Sequence, residues 1–217
     1  MKVVAFVPIR LNSKRVIGKN MKLLGTKPLM GYILDTLAEV VNIDEIYVYC
    51  SNEEIIPFLP PKVKFLKRPE YLDLDSTLGE EIYDEFTKTI DADVYVLAHT
   101  TSPFVKKESF EIAISKVING DEFDSAFSVE KIQTFAWFKD KPLNYSLSAI
   151  PRTQTIEPIF IETSAFYIFK REVWKIHKQR IGFSPYMVYM DKIEGVDIDW
   201  PEDFNFAEKI LQTYNVD

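Results

Sequence analysis

Short apolar runs of strand length alternate with amphipathic helical stretches along most of this chain, and that alternation narrows the available folds more than any other feature. "VVAFVPI" (3–9) is a continuous apolar run, as expected of a strand covered on both faces. Residues 28–41, "PLMGYILDTLAEVV", put Pro28 in a first helical turn and space Leu29, Ile33, Leu37 and Val40 along one helix face. "DEIYVYCS" (44–51) is a second strand. "GEEIYDEFTKTI" (79–90) is a helix with Ile82, Phe86 and Ile90 on one side and acids at its start. "DVYVLAH" (93–99) is a third strand, followed by the helix "KESFEIAISKVINGD" (107–121), which Asn-Gly stops. "SAFSVEK" (125–131) is a fourth strand, and "SAFYIFKREVWKIHK" (164–178) is a strand leading into a helix. Last, "GVDIDWPEDFNFAEKILQTY" (195–214) joins a short strand to a helix with Pro201 near its first turn and Phe204, Ala207, Leu211 and Tyr214 inward. The pattern predicts an α/β fold, a mostly parallel central sheet with helices on both sides. In such sheets ligands sit at the carboxyl ends of the strands.

The 217 residues suit a single domain, 1–217. Residues 131–161 break the pattern, being aromatic, Pro-containing and aperiodic, and read as an insertion or a subunit-contact element. A net charge of −7 argues against nucleic-acid and anionic-membrane partners. The single cysteine, Cys50, has no partner for an internal disulfide, so a reducing cytoplasm is the expected setting. The apolar run Val3–Ile9 lacks a signal-peptide cleavage site after it, and no stretch reaches membrane-spanning length.

Charge is distributed unevenly. Residues 1–34 hold seven of the 26 Lys+Arg and none of the 33 Asp+Glu, so the remainder is 19 basic against 33 acidic. Four of those cations, Arg10, Lys14, Arg15 and Lys19, fall in "VPIRLNSKRVIGKN", directly after the first strand. Arg forks and Lys ammonium groups suit phosphate oxygens, and neither glycine-based phosphate fingerprint is present to do the work instead. The alternative is a solvated basic loop, a reading weakened by the loop's position at a strand's carboxyl end and by the lack of neighbouring acids.

Three further stretches carry candidate chemistry. Asp197 and Asp199 in "DID", two apart in a strand, would face one side about 6–7 Å apart, and Mg²⁺ takes one or two carboxylates beside substrate phosphates. The alternative is that Asp199 caps the helix that follows. "AHTTSPF" (98–104) ends the third strand with hydroxyls, either lining a ligand or making an ordinary Ser-Pro turn. "KRPEYLDLDSTLGEE" (67–81) sets Arg68 and Asp75-Ser76-Thr77 ahead of a helix, as a nucleobase-edge reader or as a capping segment. Neither His99 nor His177 forms a metal pair with the cysteine, so no zinc site is expected.

In this order, the stretches resemble the acylneuraminate cytidylyltransferase family, whose members are CMP-sialic acid synthetase-like enzymes, over nearly the whole chain. The family's opening pattern, I-P-A-R-x-x-S-K-R-x-x-x-K-N, is met by "VPIRLNSKRVIGKN". "LLGTKPLMGY", "KRPEYLDLDST", "TTSPF", "RTQTIEPIFIETSAFYIF" and "VDIDWPEDFNFAE" follow in the expected sequence. The resemblance implies a three-layer Rossmann-like nucleotidyltransferase fold with a dimerisation insertion at 131–161, and a homodimer. It implies a transferase that moves CMP from CTP to a sugar-acid hydroxyl with Mg²⁺ and releases pyrophosphate. By position, Arg10, Ser13, Lys14, Lys19 and Asn20 would hold the nucleotide and its phosphates, Arg68 and Thr77 would read cytosine, and Ser102 would line the pocket. Asp197 and Asp199 would take the metal and, with Lys19, form the catalytic set. Arg152, Gln154, Glu162, Thr163 and Ser164 would face the acceptor.

The chain departs from the family pattern mainly on the acceptor side. His99 stands where a Gln is usual, Val105 where an Arg is, Glu162-Thr163-Ser164 where Glu-Asn-Gly is, and Trp200 where a Thr is. A common middle-region Lys has no counterpart in "QTFAWFK". The acceptor is therefore open among sialic acid, related nonulosonic acids and other small molecules. A transferase using another nucleotide, and a non-catalytic nucleotide-binding subunit, are the competing readings.

Overall fold

Strand β1 (Val3–Ile9) is buried along both faces. Its odd residues Val3, Ala5, Val7 and Ile9 enter one apolar cluster, and Val4 and Phe6 enter another. A continuous apolar run does this only at the centre of a sheet flanked by helices. The computed structural model describes residues 1–214 apart from the side chain of Tyr214, so that residue's expected inward packing lies outside the described residues.

After β1 the opening loop carries a two-residue ladder, β2 (Leu23–Leu24) with β3 (Lys27–Pro28), and runs into helix α1 (Leu29–Glu39). Pro28 is the residue before the helix rather than one in its first turn. Strands β4 (Glu45–Cys50) and β5 (Val63–Lys67), helix α2 (Gly79–Thr89), strand β6 (Val94–Ala98) and helix α3 (Lys107–Ile118) follow. Next come β7 (Ser125–Ile132), a small hairpin of β8 (Trp137–Phe138) and β9 (Lys141–Pro142), and β10 (Ile159–Lys170). Helix α4 (Arg171–His177), strand β11 (Pro185–Met190) and helix α5 (Pro201–Tyr214) complete the described chain.

Seven strands form one sheet in the order β11-β7-β10-β6-β1-β4-β5, parallel except where β10 runs antiparallel to β6 and β7. α1 and α3 pack on one face through Ile33, Leu37, Phe110 and Ile114. α2 and α4 cover the other through Phe86 and Trp174, and Phe86 stacks on Phe6 with centroids 4.2 Å apart. The buried pair of α2 is Tyr83 and Phe86, whereas Ile82 and, just past the helix end, Ile90 only border the core. A third cluster joins Val16 and Leu24 of the opening loop to Ile198, Phe204 and Ala207. The two ends of the chain are thereby packed together at the carboxyl edge of β1.

Three expectations are corrected. Residues 196–199 form no strand: they run extended, and the Ile198 N–H donates to the Thr101 carbonyl (2.8 Å) outside any sheet ladder. Alternation survives, because Val196 and Ile198 are buried and the two aspartates turn the other way. Asp199 does not cap α5, since Asp203 accepts from the backbone N–H groups of Asp199 (3.0 Å) and Trp200 (2.8 Å). Strands β5 and β11, the two edges of the sheet, were not expected from the sequence. The irregular segment is bounded by β7 and β10, with only the small hairpin regular inside it. Among the described residues no helix is long and apolar enough to cross a membrane.

Candidate functional site

The loop after β1 folds back on itself at Gly18, whose φ of +62° suits glycine. Asn20, 5% exposed, locks the turn: its Nδ2 donates to the Arg10 carbonyl (2.8 Å) and its Oδ1 accepts from Thr100 Oγ1 (2.6 Å) at the end of β6. The cradle so made is a pocket of about 210 Å³ lined by Arg10, Ser13, Lys14, Lys19, Asn20 and His99, among others.

The cations of this loop have acidic partners that the sequence hides. Arg10 (3.4 Å) and Lys14 pair with Asp75, and Arg15 (3.0 Å) and Lys19 (3.2 Å) pair with Asp199. Lys19 also donates to the Ile198 carbonyl at 2.7 Å. The Arg15 guanidinium lies 5.2 Å from the centre of the Trp200 ring, which gives Trp200 a cation to stack on. Four cations share two carboxylates, leaving an excess of positive charge around a pocket at a strand's carboxyl end. Lys14, above all through its hydrogen bond, holds Asp75 below its ordinary range.

Asp197 is the anomalous acid. Burial pushes its pKa up and the charge of Asp199 adds to this, against a hydrogen bond from Thr101. Its Oδ1 is buried with no hydrogen-bond partner. An orphaned carboxylate oxygen beside a second carboxylate is a place where a hard cation gains and a lone proton otherwise goes. Among the described residues no group of three or more His, Cys, Asp and Glu converges on a point. A metal here would rest on these two carboxylates and on ligands brought by the substrate.

Arg68 lies at the end of β5, 2% exposed, paired with Asp73, which also takes a hydrogen bond from Ser51. Its Nε has no partner. Thr77 donates to the Tyr71 carbonyl (3.2 Å) and so shapes the turn that brings Asp75 to the loop. Ser102 is fully buried and its hydroxyl is unpartnered. Desolvation lowers the pKa of the half-buried His99, whose Nδ1–H donates to the Ser164 carbonyl (2.5 Å).

On the acceptor side the expected residues divide. Glu162 and Ser164 both meet Tyr167, whose hydroxyl donates to Glu162 (2.7 Å) and reaches Ser164 Oγ (3.2 Å). Ser164 holds φ +58° where β10 shifts register, a conformation that favours glycine. Thr163 points inward, with its hydroxyl given to Ser128 (2.7 Å). Arg152 and Gln154 lie exposed in a turn of the insertion, apart from the loop pocket. Sequence reasoning passed over Asp73, Asp75 as a counter-ion, and Thr100 and Thr101 as individual residues. Their signal was only that they sit inside stretches already singled out.

A mostly parallel sheet with helices on both faces, one antiparallel strand and a ligand edge at β1 and β6 belongs to the Rossmann-like nucleotidyltransferase fold. Two solved structures share it: CMP:2-keto-3-deoxy-manno-octonic acid synthetase complexed with CTP (TM-score 0.73, 14% identity, 99% of this chain and 100% of that one) and 4-diphosphocytidyl-2C-methyl-D-erythritol synthase from Anaerococcus prevotii (TM-score 0.68, 15% identity, 97% and 96%). The cytidylyltransferase family model matches residues 4–216, and the chain belongs to that family. It is similar to N-acylneuraminate cytidylyltransferase A of Danio rerio, 26% identical over 91% of this chain and 49% of the relative. It is also similar to CMP-N,N'-diacetyllegionaminic acid synthase of Legionella pneumophila, 25% identical over 98% and 97%. The chain spans about half the length of several curated relatives it matches.

Proposed function

We propose that this chain transfers CMP from CTP to a hydroxyl of a nonulosonic-type sugar acid and releases pyrophosphate. The observation that carries the reading is the convergence on one pocket of the loop cations and, through Lys19, of Asp199 beside the orphaned carboxylate of Asp197. The names borne by the relatives support the substrate class.

In the transfer, the acceptor oxygen bonds to the α-phosphorus as the bond to the bridging oxygen of pyrophosphate breaks, and the hydroxyl proton is released. No covalent intermediate on the protein is needed, so positioning and charge neutralisation do the work. Arg10, Lys14, Arg15 and Lys19 would exchange carboxylate partners for phosphate oxygens. Ser13 and Asn20 would fix the loop's shape against the phosphates. Arg68, held by Asp73, would read the cytosine with Thr77 and Ser102 around it. Asp197 and Asp199 fit Mg²⁺, which when bound would neutralise triphosphate oxygens.

The insertion supports a homodimer as part of the same proposal. Trp137, Phe138, Leu147 and Ile150 are all more than half exposed on it, a patch that a second copy would cover. Thermal shifts with CTP, UTP, GTP and ATP test the nucleotide: CTP should stabilise most. Equal shifts from all four would count against a cytidylyltransferase. Sedimentation of the same protein tests the dimer, and a monomer at micromolar concentration would overturn it.

A further inference from the structure

We infer that Arg180 reads the carboxylate of the acceptor, from a second cavity at the same sheet edge as the phosphate pocket. The inference rests on the transferase reading above.

The cavity measures about 510 Å³ and is lined by Tyr83, Glu162, Trp174, Arg180 and Ile181, among others. That size and a mixed aromatic and polar lining are those of a small-molecule site. It lies at the same sheet edge as the phosphate pocket, since Glu162 sits on the part of β10 that runs past the end of β6, where Phe166 pairs with Ala98. The start of α2 closes another side. Gly79 there leaves room for the Tyr83 hydroxyl, which a Cβ at position 79 would meet at 2.9 Å.

His99 and Tyr167 link the two sets of lining residues. His99 lines the phosphate pocket, and its ring centre is 6.2 Å from that of Tyr167. On Tyr167 lies the guanidinium of Arg180, 3.8 Å from the ring centre. Stacking fixes the plane of the fork, which also meets the Tyr83 hydroxyl, and leaves further N–H donors for a ligand. The nearest carboxylate, Glu162, is 3.8 Å away and already accepts from the Tyr167 hydroxyl at 2.7 Å. Arg180 is therefore oriented but not neutralised by a close bidentate partner, the state suited to binding a planar carboxylate.

The phosphates have the loop cations in the neighbouring pocket, so Arg180 is left for a different anion. A substrate whose hydroxyl reaches the α-phosphate and whose carboxylate reaches Arg180 would pass by His99 and Tyr167, leaving Glu162 to accept from its hydroxyls.

The test measures acceptor KM, CTP KM and kcat over a panel of 2-keto sugar acids and their carboxamide analogues, for the wild-type chain, Arg180→Lys and Arg180→Ala. Acceptor affinity by calorimetry and thermal melting are recorded beside them. The inference expects Arg180→Ala to raise the acceptor KM roughly 10- to 100-fold with CTP KM unchanged. Lys should fall between, and the acid should lose its advantage over the amide in the Ala variant. A KM within about twofold of wild type, or an amide that serves wild type as well as the acid, overturns the role of Arg180 and leaves the transferase reading intact. A wild-type chain that binds CTP and no sugar acid also overturns it, and a chain that binds no nucleotide sinks the transferase reading itself. Melting separates these outcomes from misfolding, and Arg180→Lys keeps a cation that can face the Tyr167 ring.

Discussion

The ammonium of Lys19 bridges the carbonyl of Ile198 at 2.7 Å and the carboxylate of Asp199 at 3.2 Å, joining residues 179 and 180 positions apart in the chain. The Lys19 side chain is only 11% exposed, so solvent screens this contact weakly. Lys19→Met should lower kcat about 10²- to 10³-fold, the scale of removing one charge-stabilising donor. A loss below tenfold in steady-state assays would place Lys19 outside the chemistry.

Asp197 gives a pH signature. Its folded-state pKa is raised by burial, so the folded chain holds that proton more tightly than the unfolded chain. The associated stability is fully present below the unfolded value and is lost as pH rises through the raised one. Asp197→Asn should therefore melt higher than wild type at pH 7, with the gain shrinking towards pH 4, while turnover collapses. Glu45 behaves in the opposite sense. Hydrogen bonds from Lys2 and then Lys64 lower its pKa to about 2, so its contribution is present above the usual carboxylate range and disappears as pH falls towards that value. Denaturant melts across pH 3–8 check both signs.

Asp75 pairs with Arg10 and Lys14, two of the cations proposed to hold phosphates. Such exposed pairs are weak. Asp75→Asn should tighten CTP binding about two- to fivefold, with the advantage fading in high salt. Weaker binding, measured by calorimetry at two ionic strengths, would show that Asp75 assists the nucleotide instead of competing with it.

Asp73 compensates the nearly inaccessible Arg68. Asp73→Ala leaves that cation buried and alone, at a cost of about 3 kcal/mol in urea unfolding. Discrimination between CTP and UTP should also be lost. Unchanged stability would mean that Arg68 finds another partner.

Ser164 adopts a left-handed backbone conformation without being glycine. Ser164→Gly should stabilise the chain by about 1 kcal/mol, unless the Tyr167 contact at 3.2 Å outweighs the relief of strain. Urea unfolding decides the sign.

Much of the fold was legible because burial on both faces writes itself as uninterrupted apolar sequence, as in Val3–Ile9. Edge strands carry no such mark. "VKFLK" and "PYMVYM" are half-exposed, and lysines or a leading proline make them resemble loop. The stretch around Asp197 shows the converse: alternation put both aspartates on one side, yet no neighbouring strand was there to pair with it. The opening loop announced its charge by composition. Its counter-ions Asp75 and Asp199 are about 60 and 184 positions from Lys14 and Arg15, and no local pattern carries such distances. Arg180 had no motif at all, because its role depends on the face of Tyr167.

The most direct measurement is pyrophosphate release from CTP with Mg²⁺, screened over 2-keto sugar acids, with wild type beside Asp199→Ala. Release that requires both CTP and a sugar acid, reduced at least 100-fold in the variant, is the expected result. Wild type that binds CTP yet releases no pyrophosphate with any acceptor, or Asp199→Ala with full activity, would contradict the account.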